Sequence, residues 1–323
     1  MKKSFIIIWY GLLIASLLLS ACSSTPADPG KSAPGSNLKV LAAESFLADI
    51  AQNVAGERFI VESLMPLGMD PHAFEPVPKD VTKISESDII IINGGGIEGW
   101  LEKVIANAGG THQIVEASAG LTSRTAREGE HLEDEHEGEE HEGHSHEEGD
   151  PHYWLDPISV IHYVENIRDG FIKVDPQGKV AYTSNAETYI QKLKELDGYI
   201  REQTDMIPAE KRLIVTNHES FGYFADRYGY KIIGTIVPSV STGASPSAQQ
   251  LARLVDDINT SGASAIFLET GTNPQLAEQI SHETGVRVVT DLFTHSITER
   301  NGEAPTYIDM MRYNIARIVE NLK

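Results

Sequence analysis

Between Glu128 and Asp150 the chain reads EGEHLEDEHEGEEHEGHSHEEGD. Five of the twelve histidines (His131, His136, His141, His144 and His146) are interleaved there with twelve carboxylates and no Lys or Arg. Imidazole and carboxylate are the side chains that borderline divalent metals prefer. Such a run cannot bury a core and is expected to form a surface loop; a plain acidic run would be no more than a solvated spacer. The interleaved histidines shift the expectation to metal contact. The run is still a poor selective site, because every ligand must be ordered when the ion binds.

Seven histidines lie outside it: His72, His112, His152, His162, His218, His282 and His295. His72 and His152 both sit in Asp-Pro-His, as Asp70-Pro71-His72 and Asp150-Pro151-His152. Proline fixes its own φ and restricts the residue before it, so these histidines have little backbone entropy left to lose. His218 follows an apolar run, Arg212–Thr216, and His295 follows another, Arg287–Thr290. A lone histidine is more often a hydrogen-bonded surface residue than a ligand. The Asp-Pro-His contexts and the strand-end position set His72, His152 and His218 apart, while His295 rests on its position alone. His112 and His282 read as surface and His162 as one face of a helix, so these three are left out of the site.

The elements that must position these residues are short β-branched runs alternating with amphipathic stretches. Strands are expected at Lys39–Ala42, Phe59–Leu64, Asp88–Asn93 and Gln113–Glu116. In the second half they are expected at Arg212–Thr216, Lys231–Val237, Ala265–Glu269 and Arg287–Thr290. Helices are expected over Phe46–Ala55, from Pro78, from a Ser245 cap with Pro246 in the first turn to about Asn259, and from Pro274 to about Thr284. Alternation with near-continuous apolar strands implies parallel sheets covered by helices on both faces. Four strands in each half suggest two similar α/β lobes. In open α/β sheets ligands bind beyond the carboxyl ends of the strands, so two histidines from each half could meet in the cleft between lobes. From 178 to 207 no strand signal occurs. Tyr182, Ala186, Tyr189, Leu193, Leu196 and Ile200 form one apolar stripe on a long connecting helix, ended by Pro208.

The ends and the composition bound the setting. Lys2 and Lys3, the apolar stretch Phe5 to Leu19 and then Leu19-Ser20-Ala21-Cys22 read as an export signal. Cys22 is the single cysteine, which excludes an intramolecular disulfide. It resembles a lipobox cysteine, lipidated to become the new N-terminus. The expected layout is a signal peptide at 1–21, a lipidated Ser/Pro/Gly-rich tether at 22–37 and an N-terminal lobe at 38–177 carrying the 128–150 loop. A linker helix at 178–207 and a C-terminal lobe at 208–323 follow. The folded part would be held outside the cytoplasm, at the cell surface or in the periplasm. The formal charge of −21 argues against nucleic acid and favours cationic ligands.

In order along the chain come the lipobox, Asp70-Pro71-His72-Ala73-Phe74-Glu75-Pro76, the His/Glu-rich run and Pro151-His152-Tyr153-Trp154-Leu155-Asp156-Pro157. The long helix follows, then Asn217-His218-Glu219-Ser220-Phe221, Phe293-Thr294-His295-Ser296-Ile297 and Tyr307-Ile308-Asp309-Met310-Met311-Arg312-Tyr313-Asn314. Together they resemble the zinc/manganese solute-binding lipoproteins of ABC metal importers, the cluster A-I family in its zinc type. The resemblance implies two α/β lobes, each with a four-stranded mainly parallel sheet, joined by one long rigid helix with a metal ion in the interlobe cleft. It places the first three ligands at His72, His152 and His218. In manganese-preferring members the third is commonly Glu. The fourth, usually Asp or Glu, matches His295, with Asp291 and Glu269 as the carboxylate alternatives. An ABC permease is the implied partner of a monomer that moves only locally on binding.

A set of imidazoles favours Zn²⁺ over Mn²⁺, which prefers oxygen, and nickel or copper would bind in vitro. Asp70, Glu75, Asp156 or Glu219 could fix the imidazole tautomers. The acidic histidine run would gather zinc weakly or sense its abundance. Other readings are a manganese-specific binding protein, or a zinc-binding adhesin or buffer without transport. An exported zinc hydrolase is disfavoured. Four protein ligands would close the site to water, and the chain has no His-Glu-x-x-His, Gly-x-Ser-x-Gly or Gly-rich phosphate motif.

Overall fold

The structure, a computed structural model, describes residues 36–124 and 149–323. The signal segment, Cys22, nearly all of the tether and the five histidines of the acidic run lie outside the described residues. No helix among the described residues is long and apolar enough to cross a membrane.

The apolar runs become eight short strands. β1 (Val40–Ala42), β2 (Val61–Ser63), β3 (Ile89–Ile92) and β4 (Gln113–Glu116) form one sheet in the order β2-β1-β3-β4. β5 (Leu213–Thr216), β6 (Lys231–Thr235), β7 (Ala265–Glu269) and β8 (Arg287–Leu292) form a second in the order β6-β5-β7-β8. Every pairing within the two sheets is parallel. The inner strands are the most apolar: Ile89, Ile90 and Ile91 of β3 and all five residues of β7 are buried. That is the composition a strand needs when helices cover both faces. In each sheet the chain order reverses between two inner strands, β1 and β3 or β5 and β7, which opens a crevice at their carboxyl ends.

The helices are α1 (Ser45–Ala55), α2 (Pro78–Glu86), α3 (Leu101–Ala108), α4 (Ser159–Val174), α5 (Lys179–Thr204), α6 (Gly222–Tyr228), α7 (Ala248–Ser261), α8 (Gln275–Thr284) and α9 (Tyr307–Leu322). α7 begins later than the sequence suggests. Its cap is Ser247, not Ser245: Ser247 Oγ accepts from the Gln250 amide at 3.2 Å, and Gln250 Oε1 accepts from the Ser247 amide at 2.7 Å. This reciprocal pair satisfies two otherwise orphaned amides, which Ser245 cannot do.

α5 is the long helix, 26 residues and roughly 39 Å. Its buried stripe is Tyr182, Ala186, Tyr189, Leu193, Leu196, Ile200 and Thr204. The stripe packs on α1 and α4 from the first half and on α9 from the end of the chain. One hydrophobic core therefore runs from Val40 and Ile89 of the first sheet, through α5, to Val289 of the second and Leu322 of α9. Trp154 pins the seam. It stacks on Phe46 at 4.7 Å, its indole donates to Thr294 O at 2.7 Å, and its own carbonyl accepts from the Tyr307 hydroxyl at 2.6 Å.

Candidate metal centre

Each of the four singled-out histidines follows the carboxyl end of a different strand: His72 after β2, His152 after β4, His218 after β5 and His295 after β8. The two Asp-Pro-His segments share a local fold. Asp70 Oδ1 accepts from the His72 amide at 2.9 Å, and Asp150 Oδ1 accepts from the His152 amide at 3.0 Å. Each aspartate closes an Asx turn over a rigid proline, which aims the histidine. His218 and His295 are placed instead by strands that end in the second sheet.

The four imidazoles meet. All six pairs of ring centroids lie between 5.0 and 5.7 Å apart. One donor nitrogen from each lies within 4.8 Å of the others, and no other group of three or more His, Cys, Asp or Glu residues among the described residues meets that geometry. His152, His218 and His295 are buried and His72 is half-buried. The Nε2 atoms of His152 and His218 face each other at 3.1 Å, and the buried Nε2 atoms of His72 and His295 have no hydrogen-bond partner. Four ligand nitrogens around a tetrahedral zinc ion stand roughly 3.4 Å apart. The cluster therefore needs only a small contraction to hold one.

The opposite ring edges are held by carboxylates. Asp150 Oδ1 lies 2.8 Å from His152 Nδ1. Glu269, the last residue of β7, lies between two rings, with Oε1 2.6 Å from His218 Nδ1 and Oε2 3.1 Å from His295 Nδ1. A carboxylate on Nδ1 fixes the tautomer whose Nε2 lone pair points inward. Burial and the neighbouring imidazoles lower His72 to about 3 and lower His152 well below its ordinary range. Burial also lowers His295, but Glu269 outweighs it and the net shift is upward. For Glu269 burial works against ionisation, yet His218 and His295 hold it well below the usual carboxylate range.

Asp150 and Glu269 do what the sequence suggested for Asp70, Glu75, Asp156 and Glu219. Asp70 Oδ2 instead accepts from Thr242 Oγ1 of the other lobe at 2.5 Å. Glu75 is exposed, and Asp156 pairs with Arg227 at 3.0 Å. Glu219, the chain neighbour of His218, is half-buried. Asp291 faces away from the cluster and holds Tyr313 and Arg317, each at 2.9 Å. His112 bonds to Ser87 O and Gly109 O, while His162 and His282 are exposed. The missed roles had a signal: Glu269 is the one charge in the buried strand AIFLE, and Asp150 stands two residues before its histidine.

Residues 40–321 match the family described as zinc-uptake complex component A, periplasmic. The chain belongs to this family. Its members are solute-binding proteins of ABC metal importers, so the protein is a binding protein and not an enzyme. The chain is 32% identical over 311 residues to the manganese-binding lipoprotein MntA of Halalkalibacterium halodurans, with 96% of each covered. It is 33% identical over 317 residues to the manganese ABC transporter substrate-binding lipoprotein PsaA of Streptococcus mitis, again with 96% of each covered. Its fold matches the periplasmic zinc binding protein TroA of Treponema pallidum with a TM-score of 0.76 and 27% identity, covering 88% of this chain and 98% of that one. These relatives share the architecture of this binding protein and differ in the metal they are named for.

Proposed function

We propose that the protein captures Zn²⁺ between His72, His152, His218 and His295 and delivers it to an ABC permease for import. The observation that carries this is the inward donor set, four imidazole nitrogens with the carboxylates of Asp150 and Glu269 held on the outer ring edges. Zinc accepts an all-nitrogen tetrahedral shell, whereas manganese prefers carboxylate and water oxygen. Neutral imidazoles leave the ion its full charge, and buried Glu269 offsets part of it. Residues 1–22 support export and lipid anchoring at Cys22, and the protein would act as a monomer outside the cytoplasm. The test is titration calorimetry of metal-free protein. One tight equivalent of Zn²⁺ with much weaker Mn²⁺ is expected, and equal affinities would overturn the zinc assignment.

A second reading is manganese uptake, favoured by the names of the relatives MntA and PsaA. Against it stands His218, an imidazole at the position where manganese-preferring members of the family commonly carry Glu, with His295 adding a second imidazole where the family as a whole usually has a carboxylate.

A further inference from the structure

Asp150, which holds His152, is itself held from the other half of the chain. The Arg124 amide donates to the Tyr223 hydroxyl at 2.8 Å, and that hydroxyl donates to Asp150 O at 2.7 Å. Arg124 and Asp150 also pair as an antiparallel bridge. The Arg124 guanidinium bonds Asp226 on α6 at 2.9 Å, and its side chain is only 10% exposed. Its Nη1 comes close to the Asp150 side chain: a Cβ added to Gly222, the first residue of α6, would sit 2.8 Å from both Arg124 Nη1 and Asp150 Oδ2. A glycine there leaves the two charged groups room to approach. A guanidinium beside a carboxylate holds it in place to accept from an imidazole N–H.

We propose that Arg124 and Tyr223 are positioning residues for the second imidazole of the cluster: Arg124 approaches the Asp150 carboxylate that orients His152, Tyr223 holds the Asp150 main-chain carbonyl, and the two fasten Asp150 to α6 of the opposite lobe. The chain of contacts runs from Asp226 through Arg124 to Asp150, and from there to His152 Nδ1, whose Nε2 faces His218. Loosening Arg124 lets His152 turn and lets the ion leave faster, without removing a ligand. This rests on the reading of the four-histidine cluster as the metal site.

Zinc uptake by the wild type, read first, tests the site itself. The clamp is tested by the rate at which Zn²⁺ passes from each variant to a chromophoric chelator, relative to wild type. Arg124→Gln is expected to release zinc about tenfold faster, in the range seen when outer partners of metal ligands are lost. Arg124→Lys should recover most of the wild-type rate. Tyr223→Phe, which removes one hydroxyl and is safe for folding, should release zinc severalfold faster. The double variant Arg124→Gln/Asp150→Asn should be no worse than Asp150→Asn alone, because both act through one carboxylate. The Co²⁺ ligand-field spectrum should shift in Arg124→Gln and return in Arg124→Lys, which a purely structural role would not produce. A wild-type release rate in both Arg124→Gln and Tyr223→Phe overturns the proposal. So does full additivity with Asp150→Asn, or failure of lysine to restore the rate and the spectrum.

Discussion

The Nε2 atoms of His152 and His218 stand 3.1 Å apart, one delivered from beyond β4 and the other from beyond β5. Two imidazole nitrogens that close need either a proton or a cation between them. Burial and the neighbouring rings make protons costly at His72 and His152, so a divalent ion is the favoured occupant. Loading should stabilise the fold as RT ln(1 + [L]/Kd), about 4 kcal/mol at a thousandfold excess over Kd. Thermal unfolding with and without one equivalent of Zn²⁺ measures it. An unchanged midpoint would mean that the cluster is not a metal site.

Glu269 spans two of the four rings, so its loss should cost more than that of any other carboxylate near the cluster. Glu269→Gln keeps the shape and removes the charge that offsets the ion. A fall in zinc affinity of about 10–100-fold is expected. Asp291→Asn, whose carboxylate holds Arg317 and Tyr313 away from the cluster, should leave affinity within about twofold. Competition titration against a chelator of known affinity separates the two. Equal losses would return Asp291 to the set of ligand alternatives.

The fourth position is where the choice of metal is most open to change. His295→Asp replaces a buried nitrogen donor by oxygen beside an already anionic Glu269. The substitution should raise the affinity for Mn²⁺ relative to Zn²⁺ and lower the discrimination between them. Calorimetry with both ions on both proteins gives the ratio. A ratio unchanged from wild type would mean that His295 does not reach the ion.

Most of the fold was legible because strand signals in a doubly covered sheet are nearly continuous. IIII and AIFLE can bury on both faces and leave few alternatives. The stripe from Tyr182 to Ile200 gave the long helix because its period is the helical one. The four histidines were legible from Asp-Pro-His turns and strand ends, which are local. The partners of their outer nitrogens were not, because those contacts are long in sequence. Glu269 reaches His218 and His295 only once β7 lies between β5 and β8. The tie from Asp70 to Thr242 spans 172 positions and leaves no periodic trace. The α7 cap was misplaced by two residues because Ser245-Pro246 and Ser247 both offer a start, and only the geometry of Gln250 decides between them.

One buried pair predicts how stability varies with pH. Glu44 and Glu98 follow β1 and β3, at the crevice where the first sheet reverses its order. Glu44 is fully buried with its carboxyl within hydrogen-bonding reach of Glu98, while Glu98 also accepts from the amides of Asn93 and Gly94. Tyr163 from α4 faces the pair and is neutral. Burial, then the Glu98 charge, pushes Glu44 well above the usual carboxylate range. Burial raises Glu98 to about 7. Both folded values exceed the unfolded ones, so the folded chain binds protons that the unfolded chain has released. The pair's contribution is therefore complete below about pH 4; the Glu98 share is lost as pH rises through about 7, and the Glu44 share is lost as pH rises through its own raised value. Where the folded chain holds one more proton than the unfolded chain, the slope is about 1.4 kcal/mol per pH unit. Glu44→Gln carries a permanent amide in place of that proton and should flatten the decline. Denaturant unfolding of both proteins at pH 5, 6, 7 and 8 reads the slopes, and parallel curves would show that the pair does not titrate in this range.

The continuous core limits how far the lobes can turn when metal binds. Phe46 stacks on Trp154, Trp154 bonds Thr294, and Asp49 accepts from the Tyr307 amide at 2.9 Å. α5 packs on elements from both ends of the chain. Wide hinge closure would have to break these buried contacts together, each polar one costing about 1–3 kcal/mol if left unpaired. The weaker ties lie at the mouth, where Asp70 meets Thr242 and the Gly68 amide meets Ser296 Oγ at 2.8 Å. Two cavities flank that mouth, about 340 Å³ on the His295 side and about 440 Å³ on the His72 side. Release of the ion should therefore proceed by local movement of the 66–73 segment that carries His72, while the sheets stay fixed. Solution scattering of metal-free and zinc-loaded protein should give nearly equal radii of gyration. Hydrogen exchange should change at the His72 segment and the Thr242 loop and stay unchanged in α5. A clear compaction on loading, or zinc-dependent exchange along α5, would show that the lobes close as rigid bodies instead.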